Sequence, residues 1–563
     1  MSYDLRREHW IPFRRRSGRV EWGLPALLTD GVGGDDPIVA LAAPRPDFDG
    51  ALHEFLVGLL TVALGPADEA AWRTRWNSPP APGELQDAFD ALPNAFDLEG
   101  DGPRFLQDAS PADLAGTASS DIEQLLIEAP GDQTTKFNKD LFIKRDRVTR
   151  LGRPAAAMAL LTMQTYAPGG GQGHRTSLRG GGPLTTLVDP RVAPDGTWRE
   201  HEQPLWRLLW ANVETQQQLA RRAPGTPAAK LADVFPWLGP TRVSDKTGAP
   251  VTPADAHPAQ AYFGLPRRIR LAFDDVGGCC DLTGVDDARA ATGYRMRNYG
   301  VQYAAWQHPL TPHYQAASGE WLPLHGQPGG VGWKDWMGLT LLPKGETKRR
   351  PAAAVSHALA PGGRAAAMGV RTLRVRAFGY DMDNMKARAW VDATVPAFAV
   401  ADDERARLLW DVAGRLTDAT GLVASVLVGA VERALYARPE DAPGDRSAVK
   451  AALWAATEAS FYAAMARVAD PGTDVDASRQ PLAAFHGTLD RSAAAVFDRW
   501  CPTAGLAPEA MRRLVVARYG LVMTLRGYGK LGEKLYTTLD VPPPDGARAA
   551  GTPKSRTRKV APA

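Results

Sequence analysis

The sequence predicts an α+β protein, in which a large mixed α/β N-terminal domain with long loops is followed by a C-terminal antiparallel four-helix bundle. Before residue 400, the segments RRIRLAF and RTLRVRAF alternate apolar and basic residues with the period of a strand. Stretches rich in glycine and proline, such as residues 318–330, separate the regular elements. After residue 400 the chain changes to four amphipathic helical segments joined by short loops. We predict domains at 1–395 and 396–540, and a disordered tail at 541–563.

In the N-terminal domain, an apolar stripe predicts a helix over residues 47–66, with Asp47 or Asp49 as its cap and Gly65-Pro66 as its stop. A second helix is predicted to begin at Pro154 and to end before Pro168. In the two strand segments we expect apolar side chains on one face and arginines on the other. The apolar residues are Ile269, Leu271, Phe273, Leu373 and Val375, and the arginines are Arg268, Arg270, Arg371, Arg374 and Arg376.

The C-terminal domain is predicted to contain four helices whose apolar faces meet in one core. The first helix carries Leu409, Val412, Leu416, Ala419, Val423, Val426 and Ala430, and the second carries Ala451, Leu453, Ala456 and Tyr462. The third helix is expected at about residues 481–500 and the fourth at about 508–525. The tail after residue 541 has almost no core-forming side chain.

Composition indicates a soluble protein of a reducing compartment. Three cysteines, Cys279, Cys280 and Cys501, are too few for a disulfide framework. The first residues lack the apolar core of a signal peptide, and the longest apolar run, residues 56–64, is too short to cross a bilayer. We therefore expect a cytoplasmic protein.

Positive charge is concentrated in two segments, although the whole chain carries a formal net charge of only +3. Residues 134–153 contain seven Lys or Arg against two Asp, and residues 344–376 contain eight against one Glu. Such clusters occur on nucleic-acid-binding surfaces and also on ordinary solvated faces. The charge pattern leaves both interpretations open.

Motifs of the common enzyme classes are absent from the sequence. It has no Walker A loop, no dinucleotide fingerprint, no HExxH, no EF-hand loop and no G-x-S-x-G elbow. The adjacent Cys279 and Cys280 do not easily supply two corners of a tetrahedral zinc site. His308, beside Trp306, is expected to be packed or hydrogen-bonded rather than catalytic. We predict no catalytic residue, no metal and no cofactor, although a triad assembled in space stays open.

A glycine cluster, APGGGQGHRTSLRGGGP at residues 167–183, follows the second predicted helix. Glycines remove side-chain bulk and reach positive φ, so such a loop can lay its backbone against a flat surface such as a DNA minor groove. Arg175 and Arg179 are predicted to neutralise flanking phosphates. The alternative is a mobile turn between a helix and a strand.

Five segments, in order along the chain, carry a family resemblance. They are HWIPFRRRSGRVEWGLPALL, FNKDLFIKRDR, the glycine cluster with the PLTTLV that ends it, GYRMRNYGVQYAAWQHPLTPHY, and FGYDMDNMKARAW. Together they resemble the CasA family, the large subunits of type I-E CRISPR Cascade complexes. Each segment alone is weakly specific, but their order, their spacing and the terminal bundle agree. The resemblance therefore covers nearly the whole chain.

The resemblance implies a non-catalytic subunit of an RNA-guided antiviral surveillance complex. In such complexes base pairing with the guide reads the target sequence, and the protein reads a short adjacent motif in double-stranded DNA. It further implies motif reading from the minor groove, help in opening the duplex, and help in recruiting a helicase-nuclease. The implied partners are the other Cascade subunits, the 5′ handle of the guide RNA, the target DNA and that helicase-nuclease.

The resemblance also assigns residues to three motif-reading elements. The glycine loop consists of Gly169, Gly170, Gly171, Gln172 and Gly173. The basic finger is Arg297, where the family often has lysine, with Arg295 as the second choice. The wedge consists of Asp383, Asn384 and Met385; the family pattern includes a glutamine there, and Asn384 is the shorter amide.

A fourth element of the resemblance is a mobile loop that in the family docks toward the guide's 5′ handle and neighbouring subunits. Lys139, Phe142, Lys144 and Arg145 fall on it, and Phe142 has the alternative role of a core aromatic. Two other function classes stay open from the residues alone. One is an interaction scaffold whose bundle binds partner helices without touching DNA, and the other is a stand-alone hydrolase or transferase with an unrecognised site.

Overall fold

The computed structural model describes residues 2–110, 114–140, 145–171, 173–192, 197–222, 230–245, 248–342, 348–383, 386–438, 444–474 and 480–542. The chain forms two compact units. The first contains Met1–Val331 and Gly338–Ala399, and the second contains Gly332–Met337 and Val400–Ala563. The first unit mixes helices and sheets and the second is helical, which confirms the predicted α+β class. Grouping of Gly332–Met337 with the helical unit was not predicted.

The regular elements have the following bounds. The helices are α1 (Pro46–Leu64), α2 (Glu69–Asn77), α3 (Pro82–Asp90), α4 (Asp132–Lys136), α5 (Arg153–Tyr166), α6 (Leu205–Ala211), α7 (Gln216–Arg222), α8 (Leu231–Val234), α9 (Trp336–Thr340), α10 (Ala353–Leu359), α11 (Arg364–Met368), α12 (Asp403–Leu435), α13 (Ser447–Ala469), α14 (Gln480–Trp500), α15 (Pro508–Leu525) and α16 (Gly529–Leu539). The strands are β1 (Ile11–Arg15), β2 (Val20–Gly23), β3 (Ile38–Leu41), β4 (Ser119–Asp121), β5 (Leu151–Gly152), β6 (Thr185–Asp189), β7 (Arg268–Asp274), β8 (Gly278–Cys279), β9 (Asp286–Asp287), β10 (Ala290–Arg297), β11 (His313–Gln315), β12 (Trp321–Pro323), β13 (Arg349–Arg350), β14 (Thr372–Asp383) and β15 (Lys386–Phe398).

The strands of the first unit form several small antiparallel sheets rather than one large sheet. Three sheets have the strand orders β2-β1-β3, β12-β11-β13 and β15-β14-β6. In a fourth sheet β10 pairs with β4, β5 and β7, and β8 pairs with β9 alone. The β7–β10 pair carries Arg295 and Arg297 and the long β14–β15 hairpin carries Asp383, so these two sheets position the predicted finger and wedge.

Helix α1 forms where the sequence predicts it, but its cap differs. Arg45 is the N-cap residue and no side chain caps the helix, so the prediction that Asp47 or Asp49 caps it is wrong. Both aspartates lie inside the first turn, and buried Asp47 accepts a hydrogen bond from the hydroxyl of Tyr380 at 2.6 Å. Gly65 ends the helix with a φ of 39°, a conformation that glycine adopts without strain.

The predicted alternation of the two strand segments is confirmed. Ile269 and Leu271 of β7 are buried, and Phe273 is half-buried near the strand's end. In β14, Leu373 and Val375 are fully buried. The arginines between them occupy the other face of each strand, which is the expected consequence of a side-chain period of two.

The helical unit is built around α12, which packs against each of the helices α13 to α16. Helix α12 is long and apolar enough to cross a membrane by length and composition, and its buried side chains, such as Leu416 and Leu427, line the core of this unit. The sequence predicts four helices here, whereas the described residues form five. The fifth helix, α16, is short, follows Gly527 and begins at Gly529, and glycines at such spacing are typical of a loop.

The buried face of α13 also differs from the prediction. Ala451 and Ala456 are exposed, and the buried stripe consists of Val449, Leu453, Thr457, Phe461, Ala464, Met465 and Val468. Within this unit Phe461 stacks on Trp333 with ring centroids 4.3 Å apart. Trp333 belongs to the distant segment Gly332–Met337, so the choice of face depends on a contact that local periodicity does not contain.

Candidate nucleic-acid interface

The glycine loop connects α5 to β6. Gly171 and Gly173 have φ angles of 87° and 77°, in the left-handed region that favours glycine. Gly171 is exposed, and a Cβ there would meet no heavy atom within 4 Å. A Cβ at Gly170 would lie 2.7 Å from Nδ1 of His174, so the backbone at Gly170 packs against the imidazole ring of His174 and leaves no room for a side chain. Gly169 is half-buried and Gln172 lies outside the described residues. The backbone is therefore most accessible at Gly171.

The end of β10 is in contact with this loop. The backbone N–H of Tyr299 donates to the carbonyl of Gly173 at 2.7 Å, and a Cβ at Gly173 would lie 2.8 Å from the Cβ of Asn298. Arg297 directly precedes these two residues, and both Arg295 and Arg297 are exposed. The predicted basic finger therefore borders the glycine loop.

The β14–β15 hairpin contacts the chain that leaves this loop, at Gly182. Asp383 pairs with Lys386 across the tip, and the connecting residues Asn384 and Met385 lie outside the described residues. A Cβ at Gly182 would lie 2.8 Å from Cε of Met382, so the hairpin packs closely against the chain that leaves the glycine loop. The three predicted motif-reading elements are thus neighbours in the first unit.

A buried arginine that was not predicted as a site residue forms a hydrogen bond to the residue before the glycine loop. Arg267 is 6% exposed, and its guanidinium donates to the carbonyl of Pro168, where the loop begins. Burial lowers the pKa of Arg267 to about 10, and the positive charge of Arg267, after burial itself, lowers the pKa of His174. The signal in the sequence was only that Arg267 precedes the strand β7.

Two predicted phosphate contacts are not supported by the structure. Arg179 is 4% exposed and forms a buried ion pair with Glu54 at 2.5 Å, so its assignment to DNA phosphate is wrong. It also donates to the hydroxyls of Thr185 and Thr311. Arg175 is half-buried, and its guanidinium donates to the hydroxyl of Ser244 at 2.7 Å and to its carbonyl at 2.6 Å. Both arginines hold the loop in place.

The predicted docking loop is described only in part, because Phe142 and Lys144 lie outside the described residues. Lys139 is exposed. Arg145 donates to the carboxylate of Asp140, to the side chain of Asn138 and to the Thr135 carbonyl. Arg145 therefore ties together the two sides of the segment that contains Phe142.

An exposed aromatic residue on this loop was missed. Phe137 is 57% exposed, and the ammonium groups of Lys136 and Lys139 lie 5.9 Å and 5.2 Å from the centre of its ring. The sequence places this phenylalanine at the start of the segment that resembles the family's mobile loop. Exposed rings flanked by lysines are suited to stacking on a base or packing against a partner.

The described residues offer little support for a catalytic site. His308 is 2% exposed, and burial keeps its pKa well below the ordinary value, so it is a neutral packed residue as predicted. Cys279 is exposed and Cys280 is buried. A cavity of about 680 Å³ lies between Trp306, Arg350 and helix α10, but no residue of the glycine loop, the finger or the hairpin lines it.

Comparison with known proteins identifies the family. A family model for CRISPR-associated protein Cse1 matches residues 4–496. Among solved structures, Thermobifida fusca Cse1 is 18% identical with a TM-score of 0.70, over 96% of this chain and 98% of that one. CasA of Thermus thermophilus is 18% identical with a TM-score of 0.64, over 95% and 100% of the two chains. A chain of a CRISPR RNA-guided surveillance complex is 17% identical with a TM-score of 0.65, over 92% and 99%.

At these identities the structural likeness establishes a shared fold, and the family model establishes membership. The chain belongs to the Cse1 (CasA) family, the large subunits of type I-E Cascade complexes. The resemblance read from five short segments is confirmed.

Proposed function

We propose that this chain is a non-catalytic subunit of a cytoplasmic RNA-guided DNA surveillance complex and that it recognises the protospacer-adjacent motif in double-stranded DNA. Its partners are the other Cascade subunits, the guide RNA and the target duplex. Two contacts carry the proposal: the glycine loop contacts the residues that directly follow the finger strand, and the hairpin packs against Gly182 in the chain that leaves the loop. These are the three elements that motif reading and strand opening require.

The chemistry of the loop suits a minor groove. The groove is only about 6 Å wide, so a backbone without side chains enters it most easily, and Gly171 presents such a backbone. Arg297 supplies a positive charge beside the loop, and the negative potential of a narrow minor groove attracts arginine. Together they offer N–H donors to the base-edge acceptors that line the groove.

The hairpin is proposed to act after the motif is bound. Asp383, Asn384 and Met385 connect the two long strands β14 and β15. The pairing of these strands up to Asp383 and Lys386 limits the motion of the hairpin. Inserting such a tip between base pairs costs a few kcal/mol of unstacking, which contacts to the separated strands offset. Lys139, Phe142, Lys144 and Arg145, with Phe137, are proposed to dock toward the guide's 5′ handle and neighbouring subunits. Recruitment of a helicase-nuclease belongs to the same proposal.

A substitution at Gly171 tests the loop directly. Asparagine tolerates positive φ better than most side chains, and the space around Gly171 is open, so Gly171→Asn adds bulk without a steric clash and with limited backbone strain. We expect the assembled complex with Gly171→Asn to lose preference for motif-bearing over motif-free duplex by at least about fivefold, because each specific base contact is worth about 1–3 kcal/mol. Gel-shift titration of both duplexes measures the ratio.

Arg297→Ala is the companion variant, and it is expected to weaken the binding of motif-bearing DNA by about 1–3 kcal/mol. Gly362→Asn serves as the matched control, since this glycine also has a positive φ of 70° and open space but lies outside the loop. Guide-bound complex must assemble normally with all three variants. Wild-type motif preference in both Gly171→Asn and Arg297→Ala complexes would rule the proposal out.

A further inference from the structure

The strands β7 and β10 place four arginines on one face of their sheet. In the antiparallel register Arg270 lies directly opposite Arg295, and Arg268 lies directly opposite Arg297. Directly opposite residues project from the same face with Cβ atoms about 4.5–5.5 Å apart, and residues two apart on a strand share that face. The other face, which includes Ile269, Leu271 and Tyr294, is buried in the core.

The carboxylate of Asp108 lies beside this face, and it is already engaged. Buried Asp108 forms an ion pair with buried Arg268, and its second oxygen accepts hydrogen bonds from Thr241 and from the backbone of Ser110. Arg270 reaches only the backbone carbonyl of Asp108, at 3.3 Å. Within the described ranges no carboxylate lies within ion-pair distance of Arg270 or Arg295.

A fifth arginine adds to the positive charge. Burial first and the charge of Arg104 second lower the pKa of Arg270 to about 10, against the opposing effect of Asp108. Arg104 is half-buried and donates to the carbonyl of Gly100 at 2.9 Å. Of the acids near Arg104, Glu99 is shared between Arg153 and Arg289, and Asp101 is exposed. The charges of Arg104, Arg270 and Arg295 are therefore only partly balanced.

Like charges directly opposite each other on paired strands destabilise a sheet, and burial increases this cost because it removes water. A bound anion relieves both effects. Guanidinium groups match the geometry of phosphate oxygens and bind them with two parallel hydrogen bonds. The position also favours DNA, because Arg295 lies two residues before the finger residue Arg297 on the strand that ends at the glycine loop.

We propose that Arg270 and Arg295 form a binding site for a backbone phosphate of the target DNA duplex beside the glycine loop. The choice of DNA as the source of the phosphate rests on the proposed function. The site itself is an anion site, and it gives Arg295 a role different from that of the finger. Because the cluster is strained by its own charge, removing one arginine stabilises the protein and weakens phosphate binding at the same time.

The first experiment follows thermal unfolding of the full chain in sodium phosphate and in sodium chloride of equal ionic strength. In chloride, Arg270→Gln is expected to unfold about 1–2 °C above wild type, as loss of a like-charge contact predicts for a unit of this size. Phosphate is expected to stabilise wild type more than it stabilises Arg270→Gln. Arg73→Gln, which removes an exposed arginine of α2, is the matched control and should respond to phosphate like wild type. Equal phosphate responses of wild type and Arg270→Gln would overturn the anion site.

The second experiment measures duplex binding by the assembled complex across a salt series. Arg270→Gln with Arg295→Gln is expected to reduce the slope of log K against log salt by about 0.9, the value for one lost phosphate contact, while Arg270→Lys keeps most of it. The ratio of motif-bearing to motif-free affinity should not change. An unchanged slope, or loss of guide RNA in place of DNA, would overturn DNA phosphate as the ligand. Absence of a motif preference in wild type would instead contradict the proposed function and leave this site standing.

Discussion

Two arginine-rich parts of the first unit use their arginines in opposite ways. In the segment 348–376, Arg364 is 3% exposed and donates to two buried carbonyls, and Arg376 pairs with Asp392 at 2.6 Å. On the β7–β10 face, Arg270 and Arg295 have no such carboxylate partners among the described residues. The first group stabilises the fold, and the second presents charge that the fold does not neutralise.

This difference shows what a local count of charges measures. Residues 344–376 have the larger of the two local excesses of basic residues, yet Arg364 and Arg376 in this segment bind the protein's own groups. The β7–β10 face gathers its arginines from two strands about 25 positions apart, so no single window contains the excess. For a nucleic-acid interface, strand register is therefore more informative than the density of charge along the chain.

The largest effect expected from this comparison is on stability. Arg364→Met removes the donor to the carbonyls of Ala211 and Val213 and the partner of Glu69, which is 41% exposed. We expect the free energy of unfolding of the first unit to fall by about 2–3 kcal/mol, mainly because buried carbonyls lose their donor. Urea denaturation measures this, with exposed Arg371→Gln as the control. If Arg364→Met had the urea midpoint of wild type but a reduced salt slope in DNA binding, Arg364 would be a DNA contact and not a stabilising residue.

Much of the fold could be predicted because its determinants are local. The alternation of β7 and β14 and the apolar stripe of α1 depend on residues within one element. The face of α13 could not be predicted, because Trp333, which stacks on the core residue Phe461, comes from a segment more than 100 positions away in the sequence. Helix α16 was missed because glycines surround its start and hide a short helix that tertiary packing stabilises.

The candidate site was predictable in position but not in the roles of its charges. Glycine content predicted the exposed loop, because backbone positions with positive φ favour glycine and so can be recognised in the sequence. The burial of Arg179 was not visible, since its partner Glu54 is separated from it by 125 positions. Arg267 was missed for the same reason: its role is a contact with the carbonyl of Pro168, which the sequence does not place beside it.

A positioning role for Arg267 is the next effect in size. Arg267→Met leaves the Pro168 carbonyl without its donor, and the loop then samples other conformations. We expect the preference for motif-bearing DNA to fall about tenfold, equivalent to about 1.4 kcal/mol, whereas the salt slope stays unchanged because the side chain is buried. Arg267→Lys should recover part of the preference. A uniform loss of affinity for both duplexes would indicate a phosphate contact in place of a positioning role.

The last expected effect depends on pH and concerns a histidine near Arg350, in the same arginine-rich segment as Arg364. Burial, followed by the charge of Arg350, lowers the pKa of His313 to about 4. The unfolded chain takes up this proton near pH 6.5, so the folded protein should lose stability as pH falls from about 6.5 to 4, with a slope of at most about 1.4 kcal/mol per pH unit from this group. His313→Gln removes that contribution, while buried His308 contributes in the same direction in both proteins. Urea midpoints at several pH values measure the slope, with exposed His201→Gln as the control. If the unfolding free energy of His313→Gln fell with pH as steeply as that of wild type, the prediction would be wrong. His313 would then be protonated in the folded protein despite the nearby charge of Arg350.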